Sequence, residues 1–208
     1  MTQSLAASLY LVSGILFILA LRGLSSPETS RQGNLFGILG MVLAIIVTFL
    51  SIDIIFNSFV FVIIVFVMGG TIGTIIAYRI SMTAMPQLVA SFHSLVGLAA
   101  VLVALSAFYN PQAFELGTPN NIKIASLIEM SIGASIGAIT FTGSIIAFLK
   151  LQGLMSGSPI TFRGQHFINL LIGIGIIGLI AYLTKNQSNN IFLFLIIISF
   201  LIGILLII

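Results

Sequence analysis

Polar residues are so sparse along this chain that they act as punctuation. Seven mainly apolar stretches run approximately over 4–21, 35–52, 55–78, 86–108, 122–150, 167–184 and 190–208. A run of about 20 such residues crosses a hydrocarbon core of about 30 Å as an α-helix, which satisfies its own backbone in the absence of water. The breaks RGLSSPETSRQGN, RISMTAM, YNPQAFELGTPN, LQGLMSGSPITFRGQ and TKNQSN are short and leave no room for an extramembrane domain. The pattern therefore predicts an all-α, polytopic membrane helix bundle of about seven transmembrane helices, a single transmembrane domain over 1–208. The first stretch has no Lys or Arg ahead of it, and Arg22 follows the apolar run, so it reads as a retained anchor and not a cleaved signal.

Composition agrees with the pattern. The chain is 59% hydrophobic and 5% charged with a mean hydropathy of +1.28, whereas about a quarter of the residues of soluble domains are charged. A net charge of +3 is too small and too dispersed for a nucleic-acid partner, and the absence of cysteine excludes disulfides, thiolate metal sites and cysteine nucleophiles. Charge placement sets an orientation, because loops rich in Lys and Arg stay cytoplasmic. Arg22, Arg31, Arg79, Lys150 and Arg163 follow the odd-numbered spans, while Lys123 and Lys185 fall on the opposite side. The N-terminus is predicted outside and the C-terminus cytoplasmic.

Glycine motifs need separating from chemistry. GIGIIG at 173–178 has the letters of a dinucleotide-binding turn, yet it lies inside an apolar span and no acid follows Glu129. GGTIG at 69–73 fails in the same way. The four-residue spacings of Gly33 with Gly37, Gly69 with Gly73, and Gly133 with Gly137 suit close helix contact.

His93 is the more informative residue, in PQLVASFHSLVGLAAVLV with no charge beside it. Ionisable groups within a span usually face the bundle interior and mark ion or proton paths; the alternative is a neutral histidine bonded to a neighbouring helix. Imidazole exchanges protons near neutral pH, whereas Lys or Arg holds them too firmly. Ala90, His93, Gly97, Ala100 and Ala104 share one helical face, which is expected to bring another helix close with the imidazole buried at the contact.

The fifth span carries a similar stripe, Ser126, Gly133, Gly137, Thr140, Ser144 and Ala147, with Glu129 near it. His93 is about 10 Å beyond Pro86 and Ser144 about 9 Å before Lys150, so the two share a depth; Glu129 lies roughly 22 Å from Ser144 along its helix. The three are candidates for one water-lined path, although an interfacial place for Glu129 is equally natural. His166 reads as a solvated loop residue, Asp53 as part of a tight outer turn, and Glu28 and Arg31 as a cytoplasmic loop.

SPETSRQGNLFGILGM at 26–41, MTAMPQLVASFHSLVGLAAVLV at 82–103 and GAITFTGSIIAFLKL at 137–151, in this order and spacing, resemble the membrane domain of the beta subunit of proton-translocating NAD(P) transhydrogenase. The likeness covers nearly the whole chain. It implies a complex of the bacterial inner membrane that transfers hydride between NADH and NADP while protons cross. By resemblance, His93 and Ser144 serve proton translocation, with Glu129 a weaker carry-over. The family usually has acids where this chain has Ala84 and Gln87. It also continues through two further membrane helices into an NADP-binding domain, whereas this sequence stops at Ile208.

The resemblance therefore implies that no cofactor is bound by this chain, and that NAD and NADP belong to the complete complex. Hydride transfer is not expected from this chain alone. The implied partners are an alpha subunit, a chain supplying the remaining helices and NADP domain, and membrane lipid, in a dimeric complex. Rival readings are a secondary transporter or channel, and a truncated, non-catalytic assembly fragment.

Overall fold

The computed structural model describes residues 2–51 and 56–208, without the side chains of residue 3 and residues 56–58. The predicted turn at Asp53 lies outside the described residues. Among the described residues, seven helices are long and apolar enough to cross a membrane. They are α1 (Gln3–Leu24), α2 (Ser30–Ser51), α3 (Phe56–Arg79), α4 (Met85–Tyr109), α5 (Ile124–Leu151), α6 (Gln165–Leu183) and α7 (Asn189–Ile207). The chain divides into two compact units, Met1–Ile76 and Ala77–Ile208.

In the first unit α1 and α2 form an antiparallel hairpin whose joint is nearly pure backbone. A Cβ on Gly23 would stand 2.6 Å from the Gly33 Cα, and one on Gly33 would stand 2.7 Å from the Leu24 nitrogen. Thr29 Oγ1 donates to the Gly23 carbonyl at 2.7 Å across the turn, and buried Ser13 donates to the Gly40 carbonyl at 2.7 Å further along. Small residues thus bring the helices together and a hydroxyl joins them, as expected where lipid removes any hydrophobic drive for association. On α3, no described side chain is buried, and Gly69 and Gly73 have nothing within 4 Å.

The second unit is built on α5. One side of it takes α4: a Cβ on Gly97 would lie 2.7 Å from both the Gly137 carbonyl oxygen and the Phe141 nitrogen, and one on Gly137 would lie 2.8 Å from the Gly97 carbonyl oxygen. Another side takes α7, where a Cβ on Gly203 would lie 2.7 Å from the Ile139 carbonyl oxygen. Thr142 Oγ1 donates across this contact to the Phe200 carbonyl at 3.0 Å. The apolar core of Leu127, Ala134, Ala138, Leu183, Phe192 and Leu195 is fully buried. At its end the Phe108 and Phe192 rings stack at 4.2 Å, joining α4 to α7.

A short hairpin covers that end, with β1 (Gly117–Thr118) paired antiparallel to β2 (Asn121–Ile122). Gln187 acts as a third strand: the Ile122 amide donates to its Oε1 at 2.8 Å, and its Nε2 donates to the Ile122 carbonyl at 3.0 Å. These bonds engage Ile122 in the hairpin, so α5 starts at Ile124 and not at 122 as the apolar run suggests. Conversely, α2 starts at Ser30, five residues before its apolar run, because hydropathy marks the membrane crossing and not the limit of helical hydrogen bonding.

Gly97→Val is expected to destabilise the folded protein in detergent by about 2 kcal/mol through overpacking. Gly133→Ala, at a position with nothing within 4 Å, should stay within about 0.5 kcal/mol. Thermal unfolding of the two variants side by side checks the contrast.

Candidate functional site

The helices that meet at α5 leave a groove on the side of the Gly97–Gly137 crossing away from the phenylalanine stack. It is about 200 Å³ in volume and is lined by His93 of α4, by Ile139, Thr140, Gly143 and Ser144 of α5, and by Gly203, Leu206 and Ile207 of α7. Its geometry follows from the crossing. In antiparallel helices, four residues back from Gly97 along α4 and seven residues on from Gly137 along α5 fall on the same side, about 6 and 10 Å away at 1.5 Å per residue. Those positions are His93 and Ser144.

The structure thus brings two of the three sequence candidates to one groove and leaves the third out. Glu129 is exposed on α5 and is not part of the lining. The expected burial of the imidazole within the α4–α5 contact is corrected: the neighbouring Ser94 and Gly97 are buried, whereas His93 is exposed along the groove and Ser144 is partly buried. The reason is angular. Gly97 occupies the line of closest approach, and one turn earlier the side chain falls to the edge of that line, where the long imidazole extends past α5.

The groove is mostly hydrocarbon with a few polar groups. Thr140, Ser144 and His93 supply oxygens and nitrogens, while Ile139, Leu206 and Ile207 supply the apolar walls. It is large enough for several waters, each occupying about 30 Å³ in the liquid. Beyond the crossing, this opportunity ends. Ser131 donates to the Leu127 carbonyl at 2.7 Å, Ser135 to the Ser131 carbonyl at 2.9 Å, and Ser199 to the Leu195 carbonyl at 2.8 Å. These hydroxyls are bonded to their own helices amid the buried core.

Three residues that shape the site escape a reading from motifs. Thr142, inside the same TFTGS stretch as Ser144, fastens α5 to α7. Gln87 donates through Nε2 to the Leu151 carbonyl at 3.2 Å, and Lys150 donates to the carbonyls of Ile207 and Ile208 at 2.7 and 3.2 Å. For Gln87 the available signal was its departure from an acid. A carboxylate cannot donate to a carbonyl; an amide can.

The GIGIIG letters do not form a dinucleotide-binding turn. Gly173, Gly175 and Gly178 lie within α6, far from any turn or strand, and nothing approaches within 4 Å of where their side chains would begin. Among the described residues there is also no group of three His, Asp or Glu side chains able to hold a metal ion.

Comparison with known proteins shows the family. The sequence profile of the family described as NAD(P) transhydrogenase beta subunit matches residues 6–208. The NAD(P) transhydrogenase subunit beta of Rhodospirillum rubrum is 50% identical over 208 residues, covering 100% of this chain and 44% of the relative; a second such protein, from a defined strain of that organism, matches to the same extent. The chain thus spans less than half the length of the curated relatives it matches.

Because the chain carries no cysteine, introduced thiols report on the groove without background from it. Ser144→Cys is expected to react with a small water-soluble maleimide at least about tenfold faster than Ala138→Cys in the dry core, a ratio of about 1.4 kcal/mol in access. Equal rates, read by mass shift of the labelled chain, would contradict the water-filled groove.

Proposed function

The chain belongs to the NAD(P) transhydrogenase beta-subunit family, and from that premise we propose that it is the proton-translocating membrane component of an NAD(P) transhydrogenase. It couples proton movement to hydride transfer between NADH and NADP. The hydride step takes place on nucleotide-binding domains outside this chain, supplied with an alpha subunit and the remainder of the beta subunit, in a dimeric complex of the bacterial inner membrane. The end of the second unit that carries Lys150 faces the cytoplasm.

The observation that supports this reading is the groove shared by His93 and Ser144. A proton carrier needs a group that binds and releases a proton, a neighbour that keeps water oriented beside it, and walls that stop bulk solvent from short-circuiting the two sides. His93, the Ser144 and Thr140 hydroxyls, and Ile139 with Leu206 and Ile207 meet those three needs in turn. The imidazole accepts a proton from water on one side and yields it toward the other after the surrounding helices shift. The hydroxyls donate to or accept from the intervening water in either state, since a hydroxyl does both.

The coupling has an energetic purpose. Two nicotinamides of nearly equal hydride affinity give little driving force of their own, whereas one proton moving down 100 mV releases about 2.3 kcal/mol. The change in helix position that accompanies proton release is transmitted through the loops at the Lys150 end to the nucleotide-binding domains. Glu129, exposed and outside the groove, has at most an accessory part at the membrane surface.

In membranes carrying the complete complex, His93→Ala is expected to lower proton-coupled transhydrogenation about a hundredfold, the scale of a lost acid–base group. Ser144→Ala should cost about fivefold, the scale of one hydrogen bond. Glu129→Gln should stay within about twofold, as for a surface substitution. Full activity in His93→Ala, measured together with proton uptake into vesicles, would remove the reading.

A further inference from the structure

At the end of the second unit opposite Lys150, a side chain pairs with the hairpin as a strand would. Each strand of that hairpin has two residues, and a two-stranded pairing so short is marginal in water without further support. Its turn is set locally. Pro119 precedes Asn120, which has φ 64°, and Gly117 at φ 134° could not carry a Cβ without meeting the Asn121 carbonyl oxygen. The backbone of buried Ile122 is satisfied from elsewhere: Gln187, 65 residues on, takes its N–H at 2.8 Å and its C=O at 3.0 Å.

Gln187 is itself held in a fixed turn between α6 and α7. The Ser188 amide donates to the Asn186 carbonyl at 2.8 Å, the Phe192 amide donates to the Ser188 carbonyl at 3.2 Å, and Asn186 Nδ2 donates to the Tyr182 hydroxyl at 3.1 Å. The same turn therefore positions both Gln187 and Phe192, whose ring stacks on Phe108 within 5° of parallel. A pocket of about 120 Å³ shares Ile122 and Gln187 with the clasp and Phe108 with the stack, and is lined further by Tyr109, Asn120 and Asn189. It has room for about four waters at 30 Å³ each. Phe108 belongs to its lining, whereas the fully buried Phe192 and Leu127 do not.

We propose that Gln187 is the positioning residue of a seal at this end: by pairing with Ile122 it holds the α4–α5 hairpin against the α6–α7 turn, and the interior beyond Phe108 stays dry. Water admitted to the pocket stops at that ring. The use of the seal rests on the proton-carrying reading of His93, because a carrier reached by water from both ends at once would let protons pass without hydride transfer. The seal itself is measurable without that reading. Its chemistry is particular to an amide, which presents one acceptor and one donor in a plane to the N–H and C=O of a single residue. A carboxylate of the same length accepts but cannot donate, and would face the Ile122 carbonyl with an unpaired oxygen.

The test uses the complete complex in native membranes, with a small water-soluble maleimide admitted to both faces. The reporter is Ser131→Cys, at a fully buried position about two turns into α5. Gln187→Leu is expected to raise its labelling rate about tenfold, the scale of two lost neutral hydrogen bonds. Gln187→Glu, which loses only the donor, should raise it about threefold, and it carries the test if Gln187→Leu fails to accumulate. Ser144→Cys, beyond the Gly97–Gly137 crossing, should stay within about twofold in the same backgrounds, which a general loosening of the unit would not allow. In sealed vesicles without nucleotides, Gln187→Leu should also raise passive proton entry, and adding His93→Ala should remove that rise. Unchanged labelling of Ser131→Cys in both Gln187 variants, or an equal rise at Ser144→Cys, overturns the seal. A rise at Ser131→Cys alone, with proton entry indifferent to His93, upholds the seal and overturns the proton-carrying reading instead.

Discussion

The near-contact of two backbones where Gly97 faces Gly137 is the constraint from which the site's geometry follows. Lipid tails are as apolar as the helices they surround, so helices associate through close van der Waals packing and hydrogen bonds. A side chain of any size at either glycine would meet peptide atoms at under 3 Å, which flexible neighbours cannot relieve. The crossing therefore has one register. Once it is fixed, the depths of His93 and Ser144 are fixed with it, because each lies a set number of residues from its glycine on a rigid helix.

From that crossing α5 presents unlike faces to its neighbours. Toward α4 it offers glycine and backbone; toward α7 it offers Thr142 and Gly143, with one cross-helix hydroxyl bond. On one side of the crossing large apolar residues close the interior, ending in the Phe108–Phe192 stack and the hairpin held by Gln187. On the other side the groove is lined without a Phe or Tyr. Tight and open packing coexist along the same helices because small residues at one level let the helices touch, while the lack of a filler below lets α4 and α7 stand apart. Buried serines in the closed half do not extend the groove, since their hydroxyls are bound to carbonyls one turn earlier in their own helices.

Much of this was legible in the sequence, for reasons that differ by residue. The seven crossings follow from hydropathy because the bilayer imposes a length, although that length does not mark where helices end, as Ser30 and Ile122 demonstrate. His93 stood out because an ionisable group in a span is rare, and its partnership with Ser144 could be inferred from equal depth on two small-residue stripes. The stripes did not reveal which glycines carry contacts: Gly33 and Gly137 do, whereas Gly69, Gly73 and Gly133 have nothing within 4 Å. Spacing shows that a close approach is possible, and only a partner's surface decides whether it occurs. Glu129 failed as a member of the groove because proximity to a stripe leaves a side chain's azimuth uncertain by half a turn. Lys150 was legible only as a topological charge, its bonds to α7 depending on a helix 57 residues further along the chain.

The position of the imidazole at the edge of the crossing, and not within it, bears on the proton-carrying role proposed above. A ring sealed between Gly97 and Gly137 would have no water with which to exchange a proton, and its charged form would lose hydration without compensation. A ring open to bulk solvent would exchange freely but would leave the two sides of the membrane connected. In this chain His93 is exposed along a groove whose apolar lining is Ile139, Leu206 and Ile207. On the proton-carrying role proposed above, control of the proton is control of the space beside His93 that α4, α5 and α7 enclose.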